Sequence, residues 1–187
     1  MAQMQRYDAL KSLVPALTNE LVVCNLGAPS QEMYSIKDSD RFFYMLGSMG
    51  LASSIGLGLA LGTKQHIVVI DGDGSVLMNL GTLATIAAQA PANLTLIIID
   101  NGAYGSTGDQ PTHTSGVTNL AAMARGAGIK SVSEVSGSQL RDTFVECKGR
   151  AGPHVIVAKV APGGPQLPPV PLSPVVIIER FMRQVAA

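Results

Sequence analysis

The sequence predicts an α/β fold: a mostly parallel sheet with helices on both faces, arranged as one three-layer domain. Three observations predict it. Helix-like and strand-like segments alternate along the whole chain. Two runs, His66–Ile70 (HIVVI) and Leu94–Ile99 (LTLIII), are apolar and β-branched, as strands buried on both faces must be. Each of these runs ends in turn residues and an acid. A chain of 187 residues suits a single core, so one domain over 1–187 is expected.

Taken in order, an amphipathic helix is expected over Met4–Leu17, a short strand at Leu21–Cys24, and a loop from Asn25 to Ser39. A helix rich in small residues follows over Ser48–Leu61, then the first buried strand. Helix-forming sequence runs from Asn79 to Ala90, where Pro91 stops it before the second buried strand. Asn101–Asn119 is rich in Gly, Thr and Ser without a period and reads as a long loop, a feature that is usually functional in a compact domain. Helices at Leu120–Ala127 and Ser138–Lys148 bracket a short strand at Lys130–Val132, and His154–Val160 is the last strand. A Pro/Gly-rich arm, 161–174, leads into a closing helix over 175–187.

Composition excludes several function classes. Lys+Arg and Asp+Glu balance at 13 each, so nothing draws the chain to nucleic acid. Cys24 and Cys147 lie far apart with no metal-ligand spacing, which argues against a zinc site or a disulfide framework and for a reducing, cytoplasmic setting. The N-terminal stretch has scattered charges and no apolar core of an export signal. Phe42–Thr63 is uncharged and long enough to cross a bilayer, yet it is crowded with Gly and Ser and runs straight into a strand, so a buried helix is expected there and no membrane span. Apolar residues make up 47% and aromatics only 4%, which suits closely packed helices and a surface partly covered by other subunits.

The chemistry is concentrated at strand ends. HIVVI runs into Asp71-Gly72-Asp73-Gly74-Ser75 and then a helix. Open parallel sheets bind ligands at the carboxyl ends of strands, glycine lets the backbone approach phosphate oxygens, and a carboxylate there can hold a divalent cation. One βα unit later the next strand ends at Asp100-Asn101-Gly102. If the two strands are neighbours, Asp73 and Asn101 are two hard oxygen ligands for one Mg²⁺, with a main-chain oxygen just after Asn101, diphosphate oxygens and water completing an octahedron. GDGS is not the GxGxxG of a dinucleotide fold, and no acid follows in the ribose-binding place.

GDGS, an interval in the high twenties, and Asn-Gly together resemble the signature of thiamin-diphosphate-dependent enzymes. The resemblance implies Asp73, Asn101 and the main-chain oxygen of Ala103 as metal ligands, with Gly72, Gly74 and Ser75 bordering the diphosphate. Asp100 departs from the pattern, which has Asn there. Leu46-Gly47-Ser48-Met49-Gly50 resembles the family's GxMG-type segment, so Gly47, Ser48 and Met49 are expected at the cofactor, Met49 as the bulky residue under its bend; ordinary core packing is the competing reading of Met49. In the family a Glu from a separate pyrimidine-binding domain activates the cofactor. Only the diphosphate domain is present, and neither Glu20 nor Glu32 is assigned that role, so a partner α subunit carrying the pyrimidine domain is expected, in an α2β2 hetero-oligomer or a multiple of it.

The loop Tyr104-Gly105-Ser106-Thr107-Gly108-Asp109-Gln110-Pro111-Thr112-His113-Thr114 resembles that of the sulfopyruvate and phosphonopyruvate decarboxylase branch, which acts on small 2-oxo acids with an anionic head group. The resemblance implies a β subunit converting 3-sulfopyruvate to sulfoacetaldehyde and CO2, a step towards coenzyme M. Tyr104, Gly105 and Ser106 are expected beside the cofactor, Thr107 and Gln110 are hydrogen-bonding groups within reach of substrate or diphosphate, and His113 is an anion or proton group. Loop Ser and Thr residues also satisfy their own turns, and His113 also reads as a surface residue. A phosphonopyruvate decarboxylase, an acetolactate-synthase-like or transketolase-like carboligase fragment, and a non-catalytic cofactor-binding module remain the alternatives.

Overall fold

A computed structural model describes residues 3–186; Met1, Ala2 and Ala187, the last residue of the expected closing helix, lie outside the described residues. Six strands form the main sheet: β1 (Leu21–Cys24), β2 (Phe42–Tyr44), β3 (Ile67–Gly72), β4 (Leu94–Asp100), β7 (Ser131–Ser136) and β8 (His154–Lys159). Their order is β2-β1-β3-β4-β8-β7, and every pairing is parallel. The expected α/β architecture is therefore present. β3 and β4 are buried along almost their whole length, which is why both read as unbroken apolar runs.

Two apolar layers flank the sheet. On one face α1 (Arg6–Leu13), α2 (Ala28–Ile36) and α7 (Leu140–Lys148) pack Leu10, Met33 and Phe144 against Val22, Ile70 and Ile97. On the other, α3 (Ala52–Gly62), α5 (Gly81–Gln89) and α6 (Leu120–Gly126) pack Leu57, Ile86 and Leu120 against Val23, Val69 and Ile98. Alternate residues of one strand thus serve opposite cores. Gly56 lets α3 lie on β3, because a Cβ there would overlap Val69. The last helix, α8 (Pro174–Val185), buries Ile177 and Phe181 and follows a stretch, 162–173, without helix or strand.

Several expectations are corrected. The loop expected over Asn25–Ser39 contains α2, started by Pro29 in its first turn after Gly27 at φ +73°. The helix expected from Ser48 begins only at Ala52, since Ser48 (φ +62°) and Gly50 (φ +92°) are left-handed and cannot continue a right-handed helix. β2 precedes it, inside the apolar stretch. Within the helix expected over Asn79–Ala90, Asn79 and Leu80 belong to a break between a short helix α4 (Asp73–Met78) and α5. The strand expected at Lys130–Val132 runs on to Ser136, and the long loop carries a two-residue hairpin, β5 (Ala103–Tyr104) with β6 (Gln110–Pro111). Among the described residues, no helix is long and apolar enough to cross a membrane.

Candidate cofactor site

From β1 the chain steps outward to β2 and then back to β3 on the other side, so β1 and β3 flank a point where strand order reverses. Ligands bind outside the carboxyl ends of strands at such points. Three strand ends meet there: Asn25 and Leu26 after β1, Gly72–Ser75 after β3, and Asn101–Thr107 after β4. Together they line a cavity of about 210 Å³. Gly72, Asp73, Gly74, Ser75, Met49, Asn101, Ala103, Tyr104, Gly105 and Ser106, all singled out by sequence, are among its lining residues, whereas Gly47 and Ser48 are not.

Asp73 and Asn101 are brought together because β3 and β4 pair in register, Gly72 opposite Ile99. Asp73 is buried, and burial pushes its carboxyl above the usual range. Its Oδ2 accepts hydrogen bonds from the hydroxyls of Thr112 and Thr114, the latter at 2.9 Å. Its Oδ1 accepts none from another residue among the described residues. Thr114 also reaches Asp100 Oδ1 at 2.7 Å, and Asp100 Oδ2 is paired with Lys159, so the acid that departs from the family pattern is satisfied by the protein itself. Thr112 and Thr114 were missed by sequence reasoning. The signal was alternation in Thr112-His113-Thr114, where both threonines are buried and the histidine between them is exposed.

Asp71, two residues earlier in β3, is fully buried with Oδ2 unpaired among the described residues, and burial pushes its carboxyl up to about 6. Gly74 faces Tyr104 so closely that a Cβ would overlap the ring. Met49 sits in a turn, not a helix, which removes the reading of it as helix core. The turn is fixed by the Gly50 N–H donating to Ser75 Oγ at 3.0 Å and by Asn79 Nδ2 donating to the Gly50 carbonyl at 3.1 Å.

Of the other candidates, only Thr107 lines the cavity. His113 and Gln110 are exposed and do not line it, while Thr107 does; Gln110 and Thr107 hydrogen-bond each other at 2.8 Å, satisfying their own turn. Glu20 pairs with Lys148, and Glu32 pairs with Arg6 through two hydrogen bonds at 2.8 and 2.9 Å. Both glutamates are held in ion pairs, and neither glutamate lines the cavity. Cys24 and Cys147 are free and buried.

The fit to a metal–diphosphate ligand rests on this chemistry. One oxygen of Asp73 is held by threonines and the other accepts no hydrogen bond from another residue among the described residues, while Asn101, just after the next strand, lines the same cavity with its Oδ1 accepting from the Ala103 N–H at 3.2 Å. A Cβ at Gly72, which lines the cavity, would meet only Asn25 Nδ2, at 3.7 Å, so the protein itself leaves that space open.

Residues 25–158 match the family described as thiamine pyrophosphate enzyme, C-terminal TPP binding domain. The chain belongs to the thiamine pyrophosphate enzyme family. Two relatives in this family are named sulfopyruvate decarboxylase subunit beta. The one from Methanococcus maripaludis is 46% identical over 98% of both chains, and the one from Methanocaldococcus jannaschii is 47% identical over 97% of both. A Methanosarcina acetivorans relative, named sulfopyruvate decarboxylase, is 42% identical over 95% of this chain but only 46% of its own length. Among solved structures, benzoylformate decarboxylase from Polynucleobacter necessarius superposes with a TM-score of 0.67 at 19% identity, over 89% of this chain and 34% of that one. At that identity the likeness concerns the fold.

Proposed function

We propose that the chain is the β subunit of a decarboxylase that uses thiamin diphosphate and Mg²⁺ to convert 3-sulfopyruvate to sulfoacetaldehyde and CO2, the reaction that belongs to coenzyme M biosynthesis. The observation that carries the reading is identity of 46–47% over nearly the full length of relatives named for that subunit. The site agrees with it. Asp73, Asn101 and the main-chain oxygen of Ala103 would hold Mg²⁺, and Gly72, Gly74, Ser75, Tyr104, Gly105 and Ser106 would border the diphosphate. Gly47 and Ser48 would contribute by shaping the Met49 turn. When bound, thiamin diphosphate supplies an electron sink for the carbon–carbon bond that breaks as CO2 leaves. The chain's own part is to anchor the cofactor, to hold Met49 beneath it and to keep bulk water from the reacting centre.

The reading also requires a partner. Asp73 is the only acid lining the cavity among the described residues, and it belongs to the metal site, so the activating Glu is assigned to an α subunit with a pyrimidine-binding domain. That the chain covers 46% of the Methanosarcina acetivorans relative supports a second half supplied in trans. Leu46, Leu51 and Met78, exposed by 54%, 44% and 62%, flank the Met49 turn and its supporting helix and suit burial in an α2β2 or larger assembly. His113 would act in proton transfer only where that interface extends over its loop. The two free thiols suit a reducing cytoplasm.

The test is CO2 release from sulfopyruvate by this chain alone, by the α subunit alone and by the mixture, with cofactor and Mg²⁺ present throughout. Activity is expected only in the mixture, and robust turnover by this chain alone would overturn the split site. Phosphonopyruvate is the alternative substrate, favoured by the shared loop sequence; a higher kcat/KM for it than for sulfopyruvate would reassign the reaction.

A further inference from the structure

The cofactor cavity opens into a larger one of about 660 Å³ that shares Asn101, Gly105 and Ser106 with it and is walled on another side by the arm at Gly163–Leu167. Arg6 lines both, and among the described residues no other Lys, Arg or His lines either. Its guanidinium is held firmly: Nε donates to Glu32 Oε2 at 2.8 Å and Nη2 to Glu32 Oε1 at 2.9 Å. The Arg6 side chain is 11% exposed and that of Glu32 fully buried. Nη1 makes no hydrogen bond to another of the described residues, so one edge of the fork is uncommitted.

The backbone around Arg6 is fixed as well. Gln5 bridges Ala161, whose N–H donates to the Met4 carbonyl at 2.9 Å, so the start of α1 and the start of the arm are tied together. A Cβ on Gly164 would stand 2.9 Å from Glu32 Oε1 and 3.4 Å from Arg6 Nη2, so the arm closes directly over the ion pair. A buried ion pair adds little stability over apolar packing of the same volume. A guanidinium oriented by a carboxylate, with three of its five N–H donors uncommitted at the wall of a cavity, is instead suited to bind an oxyanion.

We propose that Arg6, positioned by Glu32, receives the anionic head group of the 2-oxo acid substrate; this rests on the decarboxylase reading above. The cofactor diphosphate is the other oxyanion within reach. The substrate is favoured because Arg6 also lines the larger cavity, whereas the diphosphate charge would be met by Mg²⁺ at Asp73 and Asn101 in the smaller one.

The experiment uses the assembled enzyme with Arg6→Gln, Arg6→Lys and the double variant Arg6→Gln/Glu32→Gln, which leaves no lone buried carboxylate. Measured are kcat/KM for sulfopyruvate and for pyruvate, whose head is an uncharged methyl, the Ki of sulfoacetate, and the affinity for thiamin diphosphate. In both Gln variants, kcat/KM for sulfopyruvate should fall about 10- to 100-fold, mainly through KM, as expected for losing one or two charge-assisted hydrogen bonds. The sulfoacetate Ki should rise by a similar factor, Arg6→Lys should recover part of both, and cofactor affinity should hold. Equal losses on both substrates, or an unchanged Ki, would mean a purely structural pair and overturn the proposal. Weakened cofactor affinity with substrate discrimination intact would give Arg6 to the diphosphate and overturn it too. A wild-type assembly that decarboxylates no anionic 2-oxo acid would bring down the functional reading itself, a failure distinct from these.

Discussion

Ser75 Oγ, on the first turn of α4, accepts a hydrogen bond from the backbone N–H of Gly50 at 3.0 Å. Ser75, two residues after Asp73, therefore holds the turn that carries Met49. Gly50 itself has φ +92°, and a Cβ on it would lie 3.1 Å from Met78 Cβ, so the turn is over-determined by backbone conformation, packing and hydrogen bonding together.

From this, Met49→Ala should lower turnover of the assembled enzyme by about tenfold or more while changing cofactor affinity little, since holding a reactive shape acts on kcat. Ser75→Ala should move the same parameters in the same direction, less strongly. Steady-state kinetics paired with calorimetric titration of thiamin diphosphate checks both. A collapse of affinity with normal turnover per bound cofactor would make Met49 a packing residue.

Asp73→Ala should abolish Mg²⁺-dependent cofactor binding, with affinity weakened by more than about 100-fold, because the cation loses its carboxylate beside a charged diphosphate. Asp73→Asn should retain a fraction. Calorimetry with and without Mg²⁺ measures it, and unchanged affinity in Asp73→Ala would remove Asp73 from the site.

Gly74→Ala should destabilise the fold by about 1–3 kcal/mol, lowering Tm by roughly 2–4 °C for each kcal/mol, because its Cβ must displace the Tyr104 ring. Tyr104→Ala in the same chain should recover much of that loss. Thermal melts of the four variants in a double-mutant cycle give the coupling, and strict additivity would show that the two residues do not compete for space.

The strand ends were legible in the sequence for a physical reason: β3 and β4 are buried on both faces, so their apolar runs stop where polar residues begin. That put Asp73 and Asn101 side by side once the two strands were taken as neighbours, and the thiamin-diphosphate resemblance supplied their reading as ligands. What could not be read depends on long-range pairing. α2 buries Ser30, Glu32 and Met33, which make no apolar stripe, and Glu32 is tolerable in the interior only because Arg6 reaches it from α1. β7 is an edge strand whose Ser131–Ser136 are half-buried or exposed, so its outer half looked like loop. Thr112 and Thr114 gain their role only when the hairpin loop folds back on Asp73.

Acid should weaken the protein through His66. Its Nε2 lies 3.0 Å from Thr95 Oγ1, and burial holds its pKa below the ordinary 6.5. The unfolded chain then binds the proton first as pH falls. The His66 contribution is intact above about pH 6.5 and is lost below it, down through the lowered folded pKa, with a limiting slope of about 1.4 kcal/mol per pH unit. Urea unfolding between pH 7.5 and 5 should show a flatter profile for His66→Gln than for the wild type. Parallel profiles would assign acid sensitivity elsewhere.

The pairing of Gly72 with Ile99 has a consequence for folding fidelity. Slipping β4 by one residue along β3 would turn its side chains to the opposite core and move Asn101 away from Asp73 by a strand residue, about 3.3 Å, more than a Mg²⁺ coordination sphere tolerates. A slipped chain could keep its helices and much of its apolar burial and still lack the proposed metal site. Under the proposed function, loading with cofactor would then proofread the sheet, because mass action would draw only the correctly aligned conformer out of the ensemble.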